Sequence, residues 1–293
     1  QYQESVDYLT KTLDIEPCYI LALAYRGRAY RRLTLEEPAT ADFEQVLQRE
    51  SHTHQDWQGR GIALSELKRY EEAIVSFDKA IEIKSDYYSA WHWRGYALYN
   101  LGNYEDAITY FDKAIEIKSD YYHAWNGLGN ALYGIGKYED AIDCFDKAIE
   151  INPDYYTALN NQVNTLIKLE QYSEAIASCK KAIEINPDGY QAWGNWGNML
   201  NKLEQYSEAI ASCKKAIEIN PDGYQVWVIW GNALYEIGEY KEAIANYDKA
   251  IKIRPAYYMA WKNKGSVLFN LKRENEAFQN WENGRKYLNL DTP

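Results

Sequence analysis

KLEQYSEAIASCKKAIEINPDGYQ occupies residues 168–191, and the same twenty-four letters return unchanged at 202–225. A catalytic centre needs one set of groups in one place, so a verbatim copy thirty-four residues on marks a unit that stacks on others of its kind. Shifting the whole chain by thirty-four residues aligns Trp57, Trp91, Trp125, Leu159, Trp193, Trp227 and Trp261 in one column. Gly61, Gly95, Gly129, Val163, Gly197, Gly231 and Gly265 form a second column four residues later. Ala73, Ala107, Ala141, Ala175, Ala209, Ala243 and Ala277 form a third, followed by Phe77, Phe111, Phe145, Cys179, Cys213, Tyr247 and Trp281. Pro153, Pro187, Pro221 and Pro255 close their repeats.

Each repeat reads as two amphipathic helices, with apolar residues at i, i+3, i+4 and i+7, as in Ala107, Ile108, Phe111, Ala114 and Ile115. Gly and Ala stand where helix axes must come close, and the large rings fill the adjacent space. The NPD and KSD motifs end the second helix, where Pro cannot continue it and Asp is expected to cap the next. Gly102, Gly136 and Gly238 mark the turn inside a repeat, where a residue with positive φ is needed. Strand patterns are absent. One helix pair cannot keep its apolar face from water alone, so the pairs must stack, giving an all-α solenoid of antiparallel helix pairs.

The pattern W-x2-L-G-x2-Y, then A-x3-F, then P resembles the tetratricopeptide repeat family. WNGLGNAL, KYEDAIDCF and INP, from Trp125 onward, carry it almost throughout, and the frame runs without insertion from Ile20 to Asp291. It gives eight repeats, 20–53, 54–87, 88–121, 122–155, 156–189, 190–223, 224–257 and 258–291, with a tail at 292–293. The first repeat is the weakest, with Leu23 in the Trp column and Val46 where others have Ala, and residues 1–19 align only with the second half of a repeat. More protein is therefore expected before Gln1. The resemblance implies a right-handed superhelix whose inner wall is built from the first helices, where partners bind.

Composition narrows the remaining classes. With 46% apolar and 26% charged residues the chain is a folded protein, and its net charge of −11 opposes nucleic acid and anionic membrane as partners. No segment has the length and apolarity of a membrane span, and a cytoplasmic location is expected. Cys18, Cys144, Cys179 and Cys213 are read as reduced thiols, most of them buried. ALYGIGKY at 131–138 carries Gly136-Lys137, yet Tyr138 stands where a phosphate-binding loop needs Ser or Thr, and no strand precedes it. His52 and His54 read as loop residues, His92 and His123 lack a third ligand, and the repeated acidic residues favour helix starts. Neither catalysis nor a cofactor or metal is expected.

The inward positions implied by the resemblance are the second, fifth, sixth, ninth, twelfth and thirteenth of each repeat. They hold Asn126 and Asn130, then Asn160, Asn161 and Asn164, then Asn195, Asn198 and Asn201, then Asn232. An Asn side chain both donates and accepts, so such a ladder can grip the N–H and C=O groups of an extended peptide whatever its side chains. Asn is also a mediocre helix former, so helix propensity does not gather it here. His92, Trp93, Tyr96, Tyr99, Tyr133 and Tyr235 stand in the same stripe as candidate aromatic anchors, and Gly127, Gly134 and Gly194 as space for a backbone. Arg28, Arg31, Arg32, Lys168, Lys202 and Lys262 against Glu66 and Glu236 predict a neutral to mildly basic wall for an acidic or polar segment. The expected function is protein–protein interaction through this wall, with a monomer as the working state. A sensor arm of a linked enzyme and a self-assembling spacer are the alternatives.

Overall fold

The computed structural model describes residues 2–287. Positions 288–291 of the last expected repeat and the tail at 292–293 lie outside the described residues. Among those residues every regular element is an α-helix, and the chain divides between Asn152 and Pro153 into two compact units. The first unit holds α1 (Tyr2–Ile15), α2 (Ile20–Arg32), α3 (Glu36–Gln48), α4 (His54–Glu66), α5 (Tyr70–Ile83), α6 (Tyr88–Asn100), α7 (Tyr104–Ile117), α8 (Tyr122–Gly134) and α9 (Tyr138–Ile151). The second holds α10 (Tyr156–Lys168), α11 (Tyr172–Ile185), α12 (Tyr190–Lys202), α13 (Tyr206–Ile219), α14 (Tyr224–Glu236), α15 (Tyr240–Ile253), α16 (Tyr258–Asn270) and α17 (Glu274–Arg285).

The two helices of a pair bury different amounts of themselves, and the sequence pattern follows. In α9 the buried residues are Ala141, Cys144, Phe145 and Ala148, a single stripe at i, i+3, i+4 and i+7. In α8 they are Ala124, Asn126, Leu128, Gly129, Ala131 and Leu132, more than one face. The difference comes from packing: α8 touches its own second helix α9, the preceding second helix α7 and the first helix α6. In each unit the first helices touch one another in succession, α2 to α8 in one and α10 to α16 in the other, forming a wall.

The glycine column is where second helices press against first helices. A Cβ added at Gly61 would lie 2.4 Å from Phe77, at Gly129 2.6 Å from Phe145, and at Gly231 2.6 Å from Tyr247. In α10 and α11 the sizes are exchanged: Val163 replaces the glycine and Cys179 the ring, both fully buried, which conserves volume. Burial pushes the thiols of Cys144, Cys179 and Cys213 up to about 12, so they pack as small apolar groups, while Cys18 is exposed and all four are free.

Two local details depart from the sequence reading. The turn inside a pair takes positive φ at Gly102, Gly136 and Gly238, as expected, but also at Thr34, Lys68, Glu170, Glu204 and Lys272, the same position of the other repeats. The packed helices hold these five residues in a conformation that disfavours a side chain by about 1 kcal/mol. Asp does not cap the first helices. Their N-caps are Tyr87, Tyr121, Tyr155, Gly189, Gly223 and Tyr257, none with a side-chain cap bond. The helix begins two residues after the Asp, out of reach, and the turn is held instead from above. The indole N–H groups of Trp91, Trp125, Trp193, Trp227 and Trp261 donate to the carbonyls of Ser85, Ser119, Pro187, Pro221 and Pro255. α4 alone among the described helices has a capping box, between Thr53 and Asp56.

Candidate functional site

The wall of first helices in the second unit carries an open cleft of about 500 Å³, lined from α10, α12, α14 and α16. Its lining falls into columns of the thirty-four-residue period. Thr157, Gln191, Gln225 and Met259 form one; Asn161, Asn195, Ile229 and Asn263 a second; Asn164, Asn198 and Asn232 a third. Asn160, Gly194 and Val228 form a fourth, and Tyr156, Tyr190, Val226 and Tyr257 complete the site. Successive columns sit on neighbouring helices because each first helix starts at the same register, so equal positions face the same way.

Several amides of this cleft are already engaged. Asn232 Oδ1 accepts from Tyr247 Oη at 2.9 Å and from Asn263 Nδ2 at 2.8 Å, which ties α14 to α15 and α16. Asn160 Nδ2 donates to Tyr156 O within its own helix at 3.0 Å. Asn160 Oδ1 and Asn195 Nδ2 are buried without a hydrogen-bond partner, one acceptor and one donor on adjacent helices. Leaving such groups unmade costs about 1–3 kcal/mol each.

Of the residues expected in the ladder, the structure brings Asn160, Asn161, Asn164, Asn195, Asn198 and Asn232 into this cleft. Asn201 lies outside the lining and donates to Ile229 O at 2.8 Å, linking α12 to α14. Lys168 and Lys202, the last residues of α10 and α12, are exposed and also outside it. Tyr235 packs on Tyr240, 5.6 Å between centroids, and accepts from Asn270. The twelfth-position tyrosines of the first unit do the same, Tyr99 on Tyr104 and Tyr133 on Tyr138, so these rings clasp the two helices of a pair. Asn126 is only 7% exposed, Asn130 is half-buried, and Trp93, at 4%, is a core residue stacked on Phe77 with Tyr96 at its edge. Gly127 and Gly134 serve helix contact, against Phe111 and Tyr104; only Gly194 of the three borders the cleft.

In the first unit two of the wall's basic side chains are paired with carboxylates, while Arg32 is exposed. Arg28 pairs with Glu66 at 3.1 Å and lies over the Trp93 ring, and Arg31 reaches Glu66 and Glu36. The carboxylate-bearing helices α3 and α4 thus absorb the two guanidinium groups.

His92 sits among Trp93, Phe111, Tyr121 and His123, with Nδ1 unpartnered. Burial pushes its imidazole down to about 3, with the like charges of His123 and Arg28 adding to the effect, and burial takes His123 down to about 4. The unfolded chain takes up these protons near pH 6.5 and the folded chain does not. The stability contributed is therefore fully present above about pH 6.5 and lost as pH falls toward 3. Urea titrations at pH 7 and 4.5 should show the wild type losing about 2–3 kcal/mol from His92 alone, and His92→Phe should remove that part while leaving the part due to His123.

Thr157, Gln191, Gln225, Met259, Asn263 and the tyrosines of the rim are absent from the asparagine ladder read in the sequence. The signal for them was the period itself: Asn263 stands in the column of Asn161 and Asn195, and Gln191 in that of Thr157. Among the described residues, no group of three or more His, Cys, Asp or Glu is placed to hold a metal, and no helix is long and apolar enough to cross a membrane.

Models of the tetratricopeptide repeat match residues 88–121, 122–155 and 190–222, a TPR repeat model matches 61–102 and 231–272, and another tetratricopeptide repeat model matches 144–177. A protein prenyltransferase alpha subunit repeat model matches 172–203. No curated protein matches the chain. Among solved structures, the Cut9–Hcn1 hetero-tetramer of the APC/C superposes with a TM-score of 0.76 at 16% identity, over 92% of this chain and 53% of that one. This chain thus spans about half of that one's length. A tetratricopeptide repeat protein from Parabacteroides merdae ATCC 43184 gives 0.68 at 14% identity, over 80% and 93%. YrrB, described as a TPR protein with an unusual peptide-binding site, gives 0.49 at 26% identity, over 63% and 95%.

Proposed function

The chain belongs to the tetratricopeptide repeat family, and from that premise we propose that the cleft of the second unit binds an extended segment of a partner polypeptide through the partner's backbone. The repeats and the fold of their structural neighbours support a protein-interaction scaffold, a role for which the family's fold is typically non-catalytic.

The observation that carries the reading is the gathering of seven Asn side chains, Asn160, Asn161, Asn164, Asn195, Asn198, Asn232 and Asn263, on one cleft wall. Neighbouring helix axes lie about 9 Å apart, and an extended chain advances about 3.3 Å per residue, so equivalent Asn side chains meet about every third residue. Four first helices then span about eight residues of ligand. Asn161, Asn164 and Asn198 keep solvent-facing surface, so their amides are placed to pair with the N–H and C=O groups of the bound backbone.

The test is Asn161, Asn164, Asn195 and Asn198 replaced together by Ala. None has a buried core role in the glycine and ring columns, so helicity should stay intact. Affinity for a captured partner peptide should fall at least about thirtyfold, corresponding to about 2 kcal/mol of lost hydrogen bonding. Unchanged affinity, read by fluorescence anisotropy, removes the amides from the mechanism.

A further inference from the structure

Every residue lining the cleft is uncharged. The chain as a whole carries 43 acidic and 32 basic residues, so a surface lined from four helices without one of either sign is a selective feature of this site. It stands at the neutral end of the neutral to mildly basic range that the sequence predicts, because Lys168 and Lys202 stay outside the lining.

The lining is also graded. Thr157 and Gln191 stand at the α10 and α12 end among the Asn side chains, whereas Ile229 and Met259 add apolar surface at the α14 and α16 end beside Gln225, Asn232 and Asn263. Met259 is well exposed and offers a flexible thioether surface.

From these two properties, and resting on the peptide-binding reading above, we infer that the ligand is an uncharged stretch of about eight residues. It is rich in amide or hydroxyl side chains over one half and carries an aliphatic side chain in the other, seated against Ile229 and Met259. A carboxylate entering the cleft loses hydration, meets no cation in the lining and approaches a body of net charge −11. An ammonium or guanidinium group is favoured by the body but finds no carboxylate in the cleft. Amides satisfy backbone groups and neutral side chains without either penalty.

The experiment uses the full chain and three pools of octapeptides with acetylated and amidated ends. One pool is drawn from Asn, Gln, Ser, Thr and Gly with a single Leu at varied position; the other two carry Glu or Lys at two of its positions. Binding is read by retention on immobilised protein, followed by titration calorimetry of the tightest members. The neutral pool should bind at least about tenfold tighter than either charged pool, lose that binding in the fourfold Asn-to-Ala variant, and weaken when its Leu is replaced by Gly. Gln191→Lys, at an exposed position, should raise the binding of the Glu pool.

A Glu or Lys pool that binds as tightly as the neutral one, through the same Asn residues, overturns this inference and leaves the peptide-binding reading standing. Indifference to the Leu overturns the grading. Retention of no pool, or retention that survives the fourfold variant, overturns both.

Discussion

Phe111→Ala should cost about 3–5 kcal/mol and break the first unit into parts that melt separately. Phe111 is 1% exposed, and its ring is gripped from two sides: a Cβ at Gly95 would lie 3.0 Å from it, and one at Gly127 2.5 Å. Gly95 belongs to α6 and Gly127 to α8, so the same ring joins its own pair to the next. Because neither glycine has a side chain to swing into the gap, the cavity cannot collapse, and the upper part of the range applies. Stability in a repeat array depends on nearest-neighbour contact, so the loss falls on the join between α6–α7 and α8–α9. Urea titration followed by far-ultraviolet circular dichroism should show a two-step transition where the wild type shows one. A loss under about 1 kcal/mol with a single transition would mean that the ring fills space without coupling the pairs.

That interface was legible because it is written in columns. The period placed Gly95 opposite Phe111 and exchanged Val163 with Cys179 in the one repeat where both differ, and a helical pair with fixed register converts such columns directly into contacts. What the period conveys is which face a residue takes, and it says nothing of depth. Trp93, Tyr99, Tyr133 and Tyr235 share the inward stripe with Asn161 and Asn195, yet rings reach further than amides and found Phe77, Tyr104, Tyr138 and Tyr240 to pack on. Which charges pair was not legible, for a related reason. Arg28 and Arg31 sit on the stripe, but Glu66, thirty-eight and thirty-five residues away, folds against both, a pairing that depends on side-chain reach between α2 and α4. The turn residues show the opposite limit. Thr34, Lys68, Glu170, Glu204 and Lys272 have no local preference for positive φ, so the tertiary packing imposes it, and only position in the frame identifies them.

Replacing Gly189 and Gly223 together with Tyr should close the cleft and take ligand binding below detection while the fold is kept. In other repeats this position is a tyrosine whose ring lies on the start of the preceding first helix: Tyr87 on His54 at 4.6 Å, Tyr121 on Tyr88 at 4.8 Å, Tyr257 on Tyr224 at 4.9 Å. The two glycines fall in the repeated NPDGY segments, and the rings they lack would stand over Tyr156 and Tyr190, both of which line the cleft, as does Tyr257 at the equivalent place. Tyr156 Oη now uses the vacated space at Gly189, accepting from the Ala192 N–H at 3.3 Å, and a Cβ there would come within 2.0 Å of it. That hydroxyl is the far end of a movable side chain, and Tyr88 shows where it goes when the neighbouring ring is present. The backbone poses no obstacle, since Gly189 at φ −82° and ψ 92° matches Tyr257 at φ −77° and ψ 93°. Gly223, at φ −71° and ψ 74°, is equally open to a side chain. Removing two glycines from the unfolded chain should add roughly 0.4–1 kcal/mol each to stability, so thermal unfolding should be unchanged or rise. Steric exclusion acts on every bound pose at once, which is why its effect should exceed that of deleting four amides. A double variant that folds and still binds the neutral octapeptides with wild-type affinity would show that the ligand lies elsewhere than along this row of first helices.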